Sequence, residues 1–520
     1  MHGKLSLLLI LSFLTCTEAF ADWREASSDH FVIYANDSEK DMRRFSEKLE
    51  RYHDAVHTLF GSNQETISPS NRVNIYAVGS RKKLKDLYGF DNRFIGGFYI
   101  GRAGGSVAFL SKINSSRGSE ASASERILLH EYAHHVLAGY SSFQIPRWFG
   151  EGFAEYFAQA EFKKDGIVGV GLPSVTRLYE SKVAKEHVEW DNVSLEEVLD
   201  TRLYDAKYKP DSRRYNNFYG RSWVLFHYLY SDLDRRVSLV NYLSRINEGE
   251  DVLQAATAAF GDLQALEKSL FKYQKKKQWA YFKITPKAQD ATSITIRTLS
   301  KAEAAIMPVH MYLKRGASKK EAIDLAEKAQ KVLKKHPDSL FVLTAVAEAE
   351  NDARNTTAAL IAADKALTID PQNIDALIQK NYALIRTARE TNNTDDWKIA
   401  RKQSIAANRI ENDHPVPLIN YYVSFRAQGV EPSANAVAGL ERALFLAPFD
   451  HAVRAKVALQ QVTEQRYQEA IDTLSAVVNN PHAPANHPAF DVLEQAKSGL
   501  AQSSTPSIAD DNGSNSSSNL

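Results

Sequence analysis

The chain has 520 residues, with 64 basic side chains against 63 acidic ones. That length calls for more than one domain, and charge this evenly balanced excludes the broad basic field of a nucleic-acid-binding protein. A single cysteine, Cys16, excludes a disulfide within the chain.

Residues 1–21 read as a secretory signal. His2 and Lys4 form the basic end, Leu5–Leu14 the apolar core and Ala19-Phe20-Ala21 the cleavage site. The core is too short to span a bilayer, and no later segment is long enough. The expected location is therefore periplasmic or secreted. Lipidation at Cys16 is the disfavoured alternative, because Phe13-Leu14-Thr15 lacks the small residue a bacterial lipobox wants before its cysteine.

His30–Ala35 predicts a strand, and Phe45, Leu49, Tyr52, Val56 and Leu59 predict a helix over 38–60 that stops at Gly61. Val73–Val78 predicts a second strand and Arg81–Tyr88 a short helix. Phe94–Ile100 and Ser106–Ser111 predict a hairpin across Gly101, Gly104 and Gly105. Residues 122–140 then predict a helix. Ser122 with Glu125 forms a capping box, Ile127, Leu128, Ala133, Val136 and Leu137 are its apolar positions, and Gly139 stops it.

That helix carries His130-Glu131-Tyr132-Ala133-His134. Two histidines four apart share a helix face, so both imidazoles reach one ion. Glu131 lies beside the open coordination position, where a carboxylate takes a proton from activated water. A catalytic zinc needs three protein ligands and one open position. Glu151, in Trp148-Phe149-Gly150-Glu151-Gly152-Phe153-Ala154-Glu155-Tyr156, is the third, on a second amphipathic helix that starts after Pro146. The bland alternative is a packed helix with satisfied histidines, but two histidines and a glutamate on an apolar helix are costly to bury without a partner. His135 points about 100° away from the ligands and is read as packing or surface. Trp148 and Phe153 are read as core beneath the site.

These motifs resemble the gluzincins, the class of thermolysin and the zinc aminopeptidases. A metzincin would place Gly and His where Leu137 and Tyr140 stand. The W-x-x-E-G-x-A-E-Y run is similar to bacterial gluzincin-like families that join a short peptidase domain to tetratricopeptide repeats. The resemblance implies an α+β zincin-like peptidase domain over 22–285, with a small mixed sheet and active-site helices. It implies one zinc on His130, His134 and Glu151, with Glu131 as the base. It implies a hydrogen bond from a ligand histidine to Glu155, against the alternative of a solvated helix glutamate. The segment Tyr215–Leu229 is similar to the Y-x-x-S-W helix that follows the zinc helices in those families. Tyr219 is the first choice and Tyr215 the second for the donor to the developing oxyanion. An edge strand lining the cleft is expected at residues 104–110. The amine anchor of an aminopeptidase is not evident.

Residues 192–280 read as mostly helical and complete this domain. From about 300 the composition turns to Ala, Leu, Lys and Glu. Pro337 and Pro371 stand 34 residues apart, the tetratricopeptide period, and Pro415, Pro448 and Pro481 follow at 44, 33 and 33. One repeat thus carries about ten extra residues, expected around Thr391–Asp396. Ala359, Ala366, Ala436, Ala443, Ala470 and Ala476 supply small packing positions. An all-α repeat solenoid over 300–500 is expected, with a groove for a protein partner, and Ser503–Leu520 is expected to be disordered. The functional expectation is a zinc endopeptidase of the bacterial envelope, its repeats recruiting a partner without taking part in bond cleavage. A non-catalytic peptide-binding scaffold and an aminopeptidase are the alternatives. Glu131 favours the enzyme, because a binding module has no need of it.

Overall fold

The computed structural model describes residues 23–60, 67–89, 96–113, 120–139, 144–183, 190–208, 215–286, 293–479 and 486–503. Residues 1–22, with Cys16 and the expected signal segment, Pro481 and the residues after Ser503 lie outside the described residues.

The chain opens with β1 (Arg24–Ser27), β2 (Phe31–Ala35), α1 (Glu39–Phe60), β3 (Val73–Ala77), α2 (Arg81–Tyr88), β4 (Gly97–Ile100) and β5 (Val107–Leu110). The helices α3 (Ala123–Gly139) and α4 (Arg147–Ala158) follow. Next come β6 (Glu161–Phe162), β7 (Val168–Val170), α5 (Val175–Val183), β8 (Trp190–Asp191), α6 (Leu195–Leu199), α7 (Thr201–Lys207) and β9 (Tyr215–Asn216). The first half ends with α8 (Phe218–Tyr230), α9 (Leu233–Asn247), α10 (Val252–Phe260), α11 (Leu263–Tyr273), β10 (Phe282–Ile284) and β11 (Thr295–Thr298).

The main sheet is mixed, in the order β11-β1-β2-β3-β5-β4; β2–β3 and β3–β5 are parallel and the other pairs antiparallel. The strand at the outer edge is therefore β4. Residues 104–110, expected at the edge, form the interior strand β5 and its approach. Parallel pairing of β5 on β3 pushes the earlier half of the hairpin outward.

All five residues of β2 are buried, as for a strand covered on both faces. Phe31 and Ile33 face Phe45, Leu49 and Tyr52 of α1 and Leu129 and Tyr132 of α3. Val32 and Tyr34 join Tyr76, Val107 and Phe109 on the opposite face, which Leu299, Met307 and Met311 cover.

Those methionines belong to α12 (Lys301–Arg315), the first helix of the second half. It is followed by α13 (Lys319–Leu333), α14 (Leu340–Asp352), α15 (Thr356–Ile369), α16 (Ile374–Thr391) and α17 (Thr394–Ile410). The last five are α18 (Pro415–Gln428), α19 (Ala434–Leu446), α20 (His451–Thr463), α21 (Tyr467–Val478) and α22 (Pro488–Ser503). Each helix packs on the next, and α14 also packs on α12 and α16, as α20 does on α22. Alanines at the contacts, including Ala359, Ala366, Ala436, Ala443 and Ala470, are fully buried. The array is a helical solenoid of stacked pairs. Helices α14 and α15 have 13 and 14 residues, whereas α16 and α17 have 18 and 17. The extra residues around Thr391–Asp396 thus become an additional turn on each of two adjoining helices. Among the described residues, no helix is long and apolar enough to cross a membrane.

Candidate metal centre

Helix α3 starts with the capping box read from the sequence: the Ser122 N–H donates to Glu125 Oε2 (2.6 Å), and the Glu125 N–H donates to Ser122 Oγ (3.3 Å). Helix α1 braces it. Lys48 Nζ lies 3.3 Å from Glu125 Oε1 in a buried pair, and the Tyr52 hydroxyl donates to the Leu129 carbonyl (2.9 Å). Helix α4 begins after Pro146 and packs against α3 on one side and α8 on the other. Gly152 permits the second contact, since a Cβ there would sit 2.5 Å from the Ser222 carbonyl oxygen and 2.6 Å from Phe226 Cβ.

This packing brings His130, His134 and Glu151 together as the only group of three or more potential metal-ligating side chains among the described residues. His130 Nε2 and His134 Nε2 are 3.2 Å apart, and Glu151 Oε2 lies 3.5 Å from the first and 3.6 Å from the second. Tetrahedral ligands about 2.0–2.2 Å from a zinc-sized ion stand roughly 3.3–3.6 Å from one another. Glu151 is 1% exposed, and neither of its carboxylate oxygens has a hydrogen-bond partner. A buried carboxylate whose nearest polar neighbours are histidine nitrogens 3.5 and 3.6 Å away is costly; a cation at the centre of this triangle would satisfy it. The three residues therefore fit a divalent metal ion.

The group also balances its own charge. Burial opposes a charge on His130, but Glu151 and Glu155 outweigh it and raise its pKa well above the usual value. Burial likewise opposes ionisation of Glu151, yet His134 and His130 hold its pKa well below the carboxylate range. Glu155 Oε1 lies 3.2 Å from His130 Nδ1 and accepts from Arg177 Nη2 at 2.7 Å. Despite burial, Arg177 and His130 keep Glu155 down at about 2. A carboxylate on the far nitrogen of a ligating histidine fixes its tautomer and ring orientation. Glu155 is thus a buried neighbour of His130, not a solvated glutamate, and the two form a close ion pair in place of the expected hydrogen bond.

Glu131 projects beside His134 and Glu151 into a cleft of about 1210 Å³. One wall is the edge strand, with Phe98, Tyr99 and Ile100; another is the start of α4 with Pro146 and Gly150. Tyr219 lies near Glu151, whose carboxylate is the largest cause of its raised pKa, followed by burial; Arg177 sits over its ring at 5.3 Å. Tyr219 is not among the residues that line the cleft. Tyr215 pairs through its backbone with Trp190, and its side chain lies outside the described residues. Trp148 and Phe153 are fully buried, as expected.

His135 packs rather than ligates. Its Nδ1 hydrogen-bonds the Tyr99 hydroxyl (2.5 Å), and its ring stacks on Phe449 at 4.1 Å. Burial, with His57 nearby, lowers its pKa to about 3. Sequence reasoning missed Arg177, Tyr99 and Phe449. Arg177 is separated from Glu155 by two strands and carries no motif. Tyr99 was legible as a strand residue but not as an edge residue.

Residues 127–250, which contain all of the candidate site residues, match a family profile described as a protein of unknown function (DUF1570). No curated protein matches the chain. Among solved structures the chain is similar to TTC0263, a thermophilic TPR protein of Thermus thermophilus, with 16% identity over 35% of this chain and 91% of that one and a TM-score of 0.29. It is similar to the MamA RS-1 ArsTM double mutant at 11% identity, over 40% of this chain and 99% of that one, with a TM-score of 0.26. Yeast Tom70 gives 13% identity over 75% and 76% of the two chains, with a TM-score of 0.27. At these scores the likenesses carry no argument, and the description of the helical array rests on its own packing.

Proposed function

We propose that the chain is an exported zinc-dependent endopeptidase of gluzincin type, its amino-terminal half a zincin-like peptidase domain and its carboxy-terminal half tetratricopeptide repeats. One observation carries the reading: two histidine nitrogens and an unpartnered buried carboxylate oxygen form a triangle of 3.2–3.6 Å, with Glu131 beside it in an open cleft. Zinc, when bound, supplies Lewis acidity, polarising a carbonyl and bringing the pKa of water near neutral. The rest is the work of side chains. His130 and His134 offer Nε2 and Glu151 a carboxylate oxygen. Glu155 holds the His130 ring, and Arg177 holds Glu155. Glu131 accepts a proton from water and returns it to the leaving amine. The Tyr219 hydroxyl donates to the developing oxyanion. The free edge of β4 pairs with extended substrate backbone. Residues 1–21 direct export to the periplasm or the exterior. A protein partner docks on the repeats, not in the groove expected from the sequence but on the odd-numbered helices, where Ile323, Ile361, Ile405 and Phe445 are exposed.

The test is metal analysis of the purified protein alongside variants. About one zinc per chain is expected, lost in a His130→Ala, His134→Ala double variant. Glu131→Gln should keep the zinc and lose cleavage of an unstructured protein such as casein. Absence of zinc from the wild type, or cleavage by Glu131→Gln at the wild-type rate, would sink the reading.

A further inference from the structure

The face of the repeats formed by the even-numbered helices is already engaged by this chain's own β4–β5 hairpin tip. The Ala103 N–H donates to Asp450 Oδ2 at 2.7 Å. Gly104, at φ +77°, lies so close to α18 that a Cβ would sit 2.7 Å from Val416 Cγ2 and 3.0 Å from His414 Cε1. Gly101 packs against the Phe449 carbonyl, and Arg102 acts electrostatically on Glu348 of α14 and Tyr382 of α16. A second set of contacts reaches the metal helix itself. Phe449 stacks on His135, next in sequence to a ligand. Arg454, buried, donates to the Ala138 carbonyl at the end of α3 (3.3 Å) and to the carbonyls of Pro448 and Thr473. The same turn supplies a wall of the cleft: Phe449, His451 and, from the last repeat, His487 line it together with Glu131 and His134.

We infer that the repeats are a structural wall of the substrate cleft, with Asp450 a positioning residue for the edge strand β4 and Phe449 a residue that contacts bound polypeptide. This rests on the peptidase reading above and goes beyond it. There the repeats recruit a partner at a distance; here they help select the segment that reaches Glu131. The physical reason is the fixed relation between two surfaces. Substrate backbone on the free edge of β4 lies between that strand and the α20 turn. The strand's outer end is tied to the turn through Ala103 and Asp450. Asp450 divides its oxygens between two tasks: Oδ1 caps α20 by accepting from the Ala452 and Val453 N–H groups, and Oδ2 holds Ala103. Asp450→Asn therefore keeps the cap on its carbonyl oxygen and turns an N–H donor toward the Ala103 N–H. It breaks the tie without removing the cap.

The experiment uses the full chain, zinc-loaded, in a Glu131→Gln background so that substrate is held and not consumed. Fluorescein-labelled carboxymethylated casein is the probe, read by anisotropy. Amide exchange at Gly97–Ile100 is read by mass spectrometry. Asp450→Asn and Phe449→Ala are each expected to weaken casein binding at least about fivefold, and Asp450→Asn to speed exchange in β4 at least about tenfold, the scale of one lost charge-assisted hydrogen bond. Zinc content should stay at the wild-type level, and Leu459→Ala, on the exposed side of α20, should change neither reading. If Phe449→Ala lowers the melting temperature, Phe449→Leu replaces it; it keeps apolar bulk and loses the ring stack. In the Glu131-intact enzyme, Asp450→Asn should raise KM for casein more than it lowers kcat, and Asp450→Glu should recover part of the loss. Casein binding unchanged in folded variants overturns the inference, whether or not β4 exchange has changed. Failure of the parent Glu131→Gln protein to bind casein would show before any second substitution. That result overturns the peptidase reading, and the cleft wall falls with it.

Discussion

Gly152 tests whether the α4–α8 contact sets the position of Glu151. An alanine Cβ would lie 2.5 Å from the Ser222 carbonyl oxygen, where ordinary contact needs 3.4 Å or more. The obstacle is backbone, so a rotamer change cannot relieve it, and overpacking of this kind costs about 1–3 kcal/mol. If α4 yields, Glu151 is displaced relative to the histidines on α3 by an amount comparable to the overlap of about 0.9 Å, and its 3.5 and 3.6 Å edges leave the roughly 3.3–3.6 Å range of a tetrahedral zinc site. Gly152→Ala is therefore expected to lower the stability of the metal-free protein by about 1–3 kcal/mol and to weaken zinc binding at least about tenfold, measured by chelator competition and urea unfolding. Gly150→Ala is the matched control. Its Cβ would meet only His134 Cε1, at 4.0 Å, and a Gly→Ala change in the first turn of α4 gains at most about 1 kcal/mol. Wild-type zinc affinity and stability in Gly152→Ala would refute the argument that this contact places the ligand.

Further outcomes follow from the same geometry. Tyr219→Phe should slow casein cleavage by roughly two orders of magnitude with zinc retained; an unchanged rate removes the tyrosine from the reaction. His310 has its pKa lowered to about 3, by burial first and then by Lys314 and Arg102 against Glu348; it hydrogen-bonds the Tyr76 hydroxyl at 3.1 Å and packs on Tyr34 and Phe341. The unfolded chain takes up that proton first, so stability present above pH 6.5 is lost as pH falls toward 3; His310→Gln should shrink the pH 7-to-5 stability difference by about 2 kcal/mol in urea titrations, and an unchanged difference would exclude His310 as its source. A chain ending at residue 290 lacks β11 and α12 and should bare Val32, Tyr34, Tyr76 and Phe109; a cooperative thermal transition without binding of an apolar dye would contradict this.

What was legible in the sequence was local. The capping box, the i, i+4 histidines and Pro146 at the start of α4 each act within a few residues, and all stand as read. The break in the proline period at Thr391–Asp396 was legible for the same reason, although its outcome, an extra turn on α16 and on α17, depends on the neighbours those helices pack against. Strand order was not legible. Residues 97–100 and 107–110 have equal claim to the edge until the parallel pairing of β5 with β3 decides between them. β1 was not read at all. Thr295–Thr298 looks like a link between halves because TIRT alternates without an apolar face; only its pairing with β1 makes it a strand. Phe449 and Asp450 have the look of ordinary repeat-turn residues, and nothing local marks them as neighbours of His135 and Ala103.

The sequence divides at about residue 300 between a half with the candidate site and a half with periodicity, and packing does not respect that division. Fully burying a Val, Leu, Phe or Met side chain contributes about 1.5–3 kcal/mol, against a net stability of only about 5–15 kcal/mol for a whole domain. The sheet face under α12 holds Val32, Tyr34, Tyr76, Val107 and Phe109. Exposing all five would cost about 7.5–15 kcal/mol, comparable to the whole margin on which the first half stands. Polar contacts tie the seam further along: Glu411 accepts from the Ser70 N–H at 3.0 Å, Asn71 donates to the Asp413 carbonyl at 3.2 Å, and Arg315 donates to the Leu87 carbonyl at 2.9 Å. A sheet whose two faces are closed by α1 and α3 on one side and by α12 on the other couples the repeats to α3, which carries His130 and His134, through shared core, not through a linker. A change in how the repeats sit, whether by a docked partner or by substitution, would therefore be felt first at β4 and His135, the parts of the cleft that the repeats hold directly.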